Sequence, residues 1–341
     1  MCTVGFVAGM VRFFMEIHTV DLAVECLVTD LLYVTTCLRL ISPSIYEDRR
    51  LQLYDHIIFD WSRIMIKEER SFLVERAKST YRFFFIYMSF IFSASSMYMV
   101  FPMVEMLYAD FFTNVTVKKE LPYKVELFID QDKYFYPLMV YSSLGCLWGV
   151  AVIIAHDFSY CMTVDHVCCL YVIIRMRLVR ATKLIKRIEE GRETYQTIGK
   201  DIDKLVVEAI ELHNMAMIRI KIIDKIYGLT WLFNTLSITL SIGGGLLVVL
   251  NSINDNNVLK MARISIAFVT FWGQLYFIFY PGQKVIDNSV WLFEACYSMP
   301  WYYMPKRSVI LIRMMSIQSL RPCQLTAAYL LHLDMETFMK V

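Results

Sequence analysis

The chain reads as an all-α, multi-pass membrane protein, and three observations predict that class. Of its 341 residues, 57% are hydrophobic and only 19% are charged, whereas soluble domains carry roughly 25% charged residues. The missing charge is concentrated, because 83–101, 134–155, 226–254 and 264–283 contain no Asp, Glu, Lys or Arg. Each run is close to or above the about 20 apolar residues that a helix needs to cross a bilayer. Third, lysines and arginines collect in the segments between these runs, as they do at the lipid boundary of membrane proteins. An ordinary soluble domain is excluded. Intrinsic disorder is excluded too, since 23 Phe, 21 Tyr and 21 Met supply more burial than a disordered chain offers. A net charge of +2, with no single basic patch, leaves no case for nucleic acid.

The elements follow in chain order. Val4 to Glu16 is a short apolar piece interrupted by Arg12, a partial span at 4–16, and Asp21 to Ile41 reads as a span carrying Glu25 and Asp30. The next spans are 83–101 and 134–155, the latter staying apolar to 174 apart from Asp165 and His166 near its end. A helix over 134–174 would measure about 60 Å, roughly twice the hydrocarbon core, so it projects beyond the membrane. Within 176–225, Ile198, Ile202, Leu205, Ala209, Leu212, Ala216, Ile220 and Ile223 recur every three or four residues opposite Lys200, Asp203, Lys204 and Lys221. That spacing predicts a second projecting helix with one buried face. Spans at 226–251 and 258–283 complete the readable set. Residues 329–341 would form a helix of about 20 Å, too short to cross, and hold Asp334, Glu336 and Lys340. The first and last spans are therefore expected to be incomplete, and the chain to be a truncated form with no conducting wall of its own. Pro102, Pro137, Pro281, Pro300, Pro305 and Pro322 are expected at or near element ends.

Orientation follows from the basic residues, which are retained on the cytoplasmic side. Residues 42–82 hold Arg49, Arg50, Arg63, Lys67, Arg70, Arg76, Lys78 and Arg82, and 175–225 holds twelve more, so both are read as cytoplasmic. The loop 102–133, where acidic residues outnumber lysines, is read as external, and it contains Asn114-Val115-Thr116, the one N-x-[ST] sequon and a glycosylation acceptor. The N-terminus lacks a basic region and cleavage site, so no signal peptide is read there. All nine cysteines fall in spans or in segments read as cytoplasmic, which leaves no external disulfide framework.

Chemistry-bearing motifs are scarce. No two of the six histidines stand at i,i+3 or i,i+4, the spacing that brings metal ligands to one helix face. Cys161, Cys168 and Cys169 lack zinc spacing and read as packing residues. No phosphate-binding loop, nucleophile elbow or dinucleotide fingerprint is present, so no cofactor, metal or enzymatic activity is expected. His156-Asp157 and Asp165-His166 lie deepest in an apolar run. They are read as boundary residues, solvated or paired, in preference to functional intramembrane charges. Gly145-x-x-x-Gly149 and Gly243-Gly244-Gly245 read as close-packing devices. Large side chains recur on single faces: Phe90, Ala94 and Met97; Tyr141 and Trp148; Phe268 and Trp272. Such sets are predicted to line an apolar ligand pocket between helices, open to the outside.

The C-terminal stretch from Asn288 to Phe338 resembles the signature of the insect odorant receptor family. The matching positions are Ser289, Ala295, Tyr297, Trp301, Arg307, Gln318, Pro322, Leu325, Thr326, Ala327, Leu333, Thr337 and Phe338. Upstream, the Tyr54 to Asp60-Trp61 region, Leu121-Pro122, Asp157 and Gly282 are similar in order. The resemblance implies seven spans with a cytoplasmic N-terminus and a heterotetrameric cation channel formed with an odorant receptor co-receptor subunit. It also implies small volatile odorants as ligands, a pore lined by the last helix, and residence in the plasma membrane of olfactory sensory neurons. It further implies a cytoplasmic anchor from 176–225 and 285–325, with Trp291, Tyr297 and Trp301 as its aromatic packing. A gustatory receptor of the same superfamily, a G-protein-coupled receptor and a membrane enzyme stand as alternatives. The G-protein-coupled reading lacks an Asn-Pro-x-x-Tyr motif and an acidic-Arg motif after the third span.

Overall fold

The structure is a computed structural model that describes residues 2–15, 20–64, 66–112, 121, 130, 133–254 and 258–341. It is built from helices: α1 (Cys2–Met15), α2 (Val20–Ile45), α3 (Glu47–Arg63), α4 (Lys67–Phe112), α5 (Phe135–Glu189), α6 (Tyr195–Asn254), α7 (Val258–Tyr297), α8 (Lys306–Ser319) and α9 (Met335–Lys340). A 3₁₀ turn at Trp301–Tyr303 and a hairpin of β1 (Thr326–Ala327) and β2 (Leu331–His332) lie between α7 and α9. Among the described residues, four helices are long and apolar enough to cross a membrane: α4, α5, α6 and α7. The 26 residues of α2 exceed the bilayer thickness, and Asp30 and Arg39 on it are buried inside the protein.

Helices α5 and α6 run far past any bilayer. Their 55 and 60 residues correspond to about 80 and 90 Å. The periodic 198–223 stretch and the uncharged run after it form one continuous helix, because no Pro, and no glycine that breaks the pattern, falls between them. The two helices are joined by a tight turn at Gly191, whose φ of +68° lies where a side chain would be strained. Their projecting halves pack along the predicted stripe: Ile202, Val206, Ala209, Leu212, Ala216 and Ile220 bury against Val167, Leu170, Ile174, Leu178 and Ala181. Leu292, Cys296, Met299, Ile312 and Met315, from α7 and α8 and the turn between them, close the same core.

Two proline expectations are corrected. Helix α4 continues through Pro102 and α7 through Pro281, so neither marks an end. A long helix packed on its neighbours can absorb the lost backbone bond. Close backbone approach explains two glycines. A Cβ on Gly228 of α6 would stand 2.9 Å from the Ala328 nitrogen, and one on Gly282 of α7 would strike the Leu333 carbonyl. The C-terminal hairpin is therefore clamped between α6 and α7. Asp224 adds to the clamp by accepting from the Thr326 N–H at 2.9 Å and from its hydroxyl at 3.1 Å.

Candidate functional site

A cavity of about 250 Å³ lies among α2, α4, α5, α6 and α7. Each helix offers it a single face at helical spacing: Val24, Val28 and Leu32; Ile91, Ala94 and Tyr98; Gly145, Gly149 and Ile153; Ser241, Gly245 and Val248; Ile264, Phe268 and Phe271. The lining is mostly small or aliphatic, and that is why space remains there. Gly149 occupies the middle of the α5 stripe, and a Cβ built on it meets no atom within 4 Å. The G-x-x-x-G pair thus opens a wall and does not bring two helices together. Gly244 does serve packing, since a Cβ there would lie 2.7 Å from Val24 of α2.

Along α7 the lining runs from Arg263 to Gln274, which defines the two ends. At the first end Arg263 donates to the Tyr98 hydroxyl at 2.8 Å, with its guanidinium 4.7 Å from the ring centre. Beyond the second end lies a buried polar cluster drawn from every wall helix. Arg39 of α2 is 3.5 Å from the Asp157 carboxylate of α5, and the Tyr87 hydroxyl of α4 donates to the same carboxylate at 2.7 Å. Arg39 also faces the ring of Trp231 on α6 at 5.7 Å, and its guanidinium donates to the Gln274 carboxamide oxygen of α7 at 2.9 Å. Arg39 and Asp157 are 2% and 0% exposed, so each depends on the other for its charge to be tolerated away from water.

Further along the same helices two more buried ionisable clusters are paired. Asp165 accepts from Arg76 at 3.2 Å and from the Thr80 hydroxyl at 2.7 Å. His166 bonds Asp60 at 2.9 Å, and Arg219 donates both guanidinium nitrogens to that carboxylate. His166 and Arg219 hold the Asp60 carboxyl below its ordinary range against the opposing effect of burial. Both sequence pairs, His156-Asp157 and Asp165-His166, are buried and not solvated. Cys168 and Cys169 are buried among apolar side chains, and burial pushes the Cys168 thiol up to about 12. Among the described residues no cluster of His, Cys, Asp or Glu could hold a metal.

The sequence-selected aromatics divide. Phe268 stands on the cavity wall. Phe90 fills the space above Gly273 of α7, where a Cβ would come within 2.8 Å of its ring, and is not part of the wall. Met97, Tyr141, Trp148 and Trp272 are exposed on outward faces, and Trp272 meets Phe338 edge-on at 5.6 Å. None of these four lines this cavity, whose α5 stripe is Gly145, Gly149 and Ile153. Ala94, named in the sequence with Phe90 and Met97, is on the wall; the small residues missed are Gly145, Gly149 and Gly245, whose motifs read as packing devices, and Ala267.

The three anchor aromatics are likewise exposed. Trp291 lies under the Arg175 guanidinium at 4.3 Å, Tyr297 stacks on Phe293 at 6.2 Å, and Trp301 meets Tyr302 edge-on at 5.8 Å. The core of this region is aliphatic and sulfur-containing, and these rings remain on its surface. Asn114 lies outside the described residues.

Comparison with known proteins completes the picture. The sequence profile described as 7tm Odorant receptor matches residues 19–341. The fold is similar to that of the insect olfactory receptor OR5 from Machilis hrabei, with a TM-score of 0.75 at 10% identity over 99% of this chain and 82% of that one. It is similar also to the same receptor in complex with eugenol, with a TM-score of 0.70 at 11% identity over 99% of this chain and 84% of that one. No curated protein matches by sequence. At these identities the structural likeness speaks for the fold, while the profile spans nearly the whole chain, from α2 to the hairpin and α9. This multi-pass membrane protein belongs to the seven-transmembrane odorant receptor family.

Proposed function

We propose that the chain is an odorant receptor subunit that binds small volatile odorants in the cavity among α2, α4, α5, α6 and α7. Assembled with a co-receptor subunit as a heterotetramer, it gates a non-selective cation channel in the plasma membrane of olfactory sensory neurons. The cavity carries this reading: an apolar space of about 250 Å³ enclosed by five helices suits a compact, weakly polar molecule. Affinity for such a ligand comes mainly from burial, at roughly 25 cal/mol per Å² of apolar surface. The eugenol bound to the Machilis receptor makes an aromatic volatile the natural first compound to try. A receptor fits better than an enzyme, because Arg39 and Asp157 beside the cavity engage each other and Tyr87 in place of a reacting centre.

In this reading the N-terminus and the projecting halves of α5 and α6 are cytoplasmic. Residues 176–225 and 285–325 form the anchor, and Trp291, Tyr297 and Trp301 are covered by a neighbouring subunit. Phe268 is the ligand contact among the aromatics singled out in the sequence; Phe90 supports it from behind, and Met97, Tyr141, Trp148 and Trp272 face lipid or other protein. Adjacent residues on α5 provide the test. Gly149→Val adds bulk on the cavity side, its Cβ meeting no atom within 4 Å, whereas Trp148→Ala alters an outward face. Binding of volatiles to the chain in lipid nanodiscs should shift toward smaller compounds in the first variant and stay unchanged in the second. Indifference of both variants to every compound would refute the site. Odorant-evoked cation current on co-expression with a co-receptor subunit tests the channel role, and binding without current would refute that part alone.

A further inference from the structure

Four hydroxyls on the cavity wall have their hydrogens engaged within their own helices. Thr29 donates to the Glu25 carbonyl at 2.9 Å, Thr36 to Leu32 at 2.8 Å, Ser241 to Ser237 at 2.8 Å and Thr270 to Ile266 at 2.8 Å. Gln274 differs. Its carboxamide closes one end of the cavity, and the two guanidinium nitrogens of Arg39 stand 2.9 and 3.3 Å from the amide oxygen. Oxygen and nitrogen are assigned here by their partners, because the reverse orientation would set donors against donors. Arg39 is itself fixed by Asp157 at 3.5 Å, and Asp157 by the Tyr87 hydroxyl at 2.7 Å. The amide is therefore locked with its oxygen away from the ligand space. Its NH2 group has no protein acceptor among the described residues.

We propose that Gln274 is a specificity-determining residue whose amide N–H donates to a ligand oxygen, so that the cavity selects volatiles carrying an acceptor, such as ketones and esters, over hydrocarbons of the same shape. The inference rests on the cavity being the ligand site and deepens that reading. A buried donor left without a partner carries a desolvation cost, so an acceptor-bearing ligand is preferred and a hydrocarbon is penalised. Arg39 and Asp157 act as positioning residues: they touch no ligand but decide which atom of the amide does.

The test uses the full chain in lipid nanodiscs with the apolar fluorophore N-phenyl-naphthylamine in the cavity. Displacement is compared for a medium-chain methyl ketone and for the alkene in which CH2 replaces its carbonyl oxygen. Partition into lipid cancels when the ketone-to-alkene ratio is compared between proteins. Gln274→Leu should shrink that ratio roughly three- to tenfold, the range of one neutral hydrogen bond, while leaving alkene affinity equal or better. Gln274→Glu keeps an oxygen for Arg39 but removes the donor, so it should lose the preference as well, and it covers the case in which the leucine variant fails to fold. A ratio that is the same in wild type and in either folded variant would overturn the proposal. Failure of the fluorophore to bind the wild type at all would instead overturn the cavity reading, and this proposal with it.

Discussion

His213 lies in the projecting half of α6, 13 residues or about 20 Å before the uncharged run begins at Ile226. It is 2% exposed, neither ring nitrogen has a hydrogen-bond partner among the described residues, and the ring meets Tyr171 edge-on at 6.0 Å. Burial lowers its pKa from 6.5 to about 4, because the charged imidazolium would be stranded away from water. The sign follows from proton binding. Between pH 6.5 and about 4 the unfolded chain holds a proton that the folded one refuses, so the stability present in full above about 6.5 is lost as pH falls toward 4. At about pH 5 the loss is ~2 kcal/mol, from 1.36 kcal/mol per unit over about 1.5 units below the unfolded value. Replacing His213 by Leu removes both the unpartnered nitrogens and the titration. Denaturant unfolding of detergent-solubilised protein, followed by circular dichroism at about pH 7.5 and pH 5, should show the variant losing ~2 kcal/mol less than wild type on acidification. Groups other than residue 213 are common to both proteins and drop out of the difference. An identical pH response in the two proteins would show that His213 is reached by water or protonated in the fold, and the reasoning would fail.

Other outcomes follow from the same geometry. Gly282→Ala sets a Cβ against the Leu333 carbonyl, a backbone atom that cannot turn aside, and should destabilise the docked hairpin by about 1–3 kcal/mol; faster hydrogen exchange of the Leu333 N–H, which bonds the Leu325 carbonyl at 2.9 Å, would report it. Ala328 and Tyr329 hold φ of 52° and 61° at the hairpin tip, where L residues are strained, so Ala328→Gly should stabilise the hairpin by about 1 kcal/mol in the same exchange measurement, and a decrease in protection would contradict it. Epitope tags beside Asn114 and at Gly191 should label intact and permeabilised cells respectively, and the opposite pattern would invert the proposed topology.

Much of the architecture was determined by local chemistry and was legible without coordinates. An uncharged run of about 20 residues has few alternatives to a membrane helix, since every backbone polar group must bond within its own segment. The stripe from Ile198 to Ile223 likewise announces one buried face, and it is the face that packs on α5. Family membership was legible for the same reason: the signature residues Leu325, Ala327 and Leu333 are core residues of the hairpin, and Gly282 gives the hairpin room. The cavity was not legible. Its wall is a place where atoms are missing, and glycine or alanine at a helix position means either a close neighbour or an empty space. Gly244 and Gly149 are the two cases: both belong to motifs that the sequence reads as packing devices, on different helices, and only Gly244 has a neighbour, Val24, where its Cβ would stand. The same holds for charge: Arg39, Tyr87, Asp157 and Gln274 stand far apart in the chain, each ordinary alone, and their meeting depends on how four helices rotate about their axes. Hydropathy decides which residues leave water, whereas the rotation of each packed helix, set by the side chains of all its neighbours together, decides which of them meet.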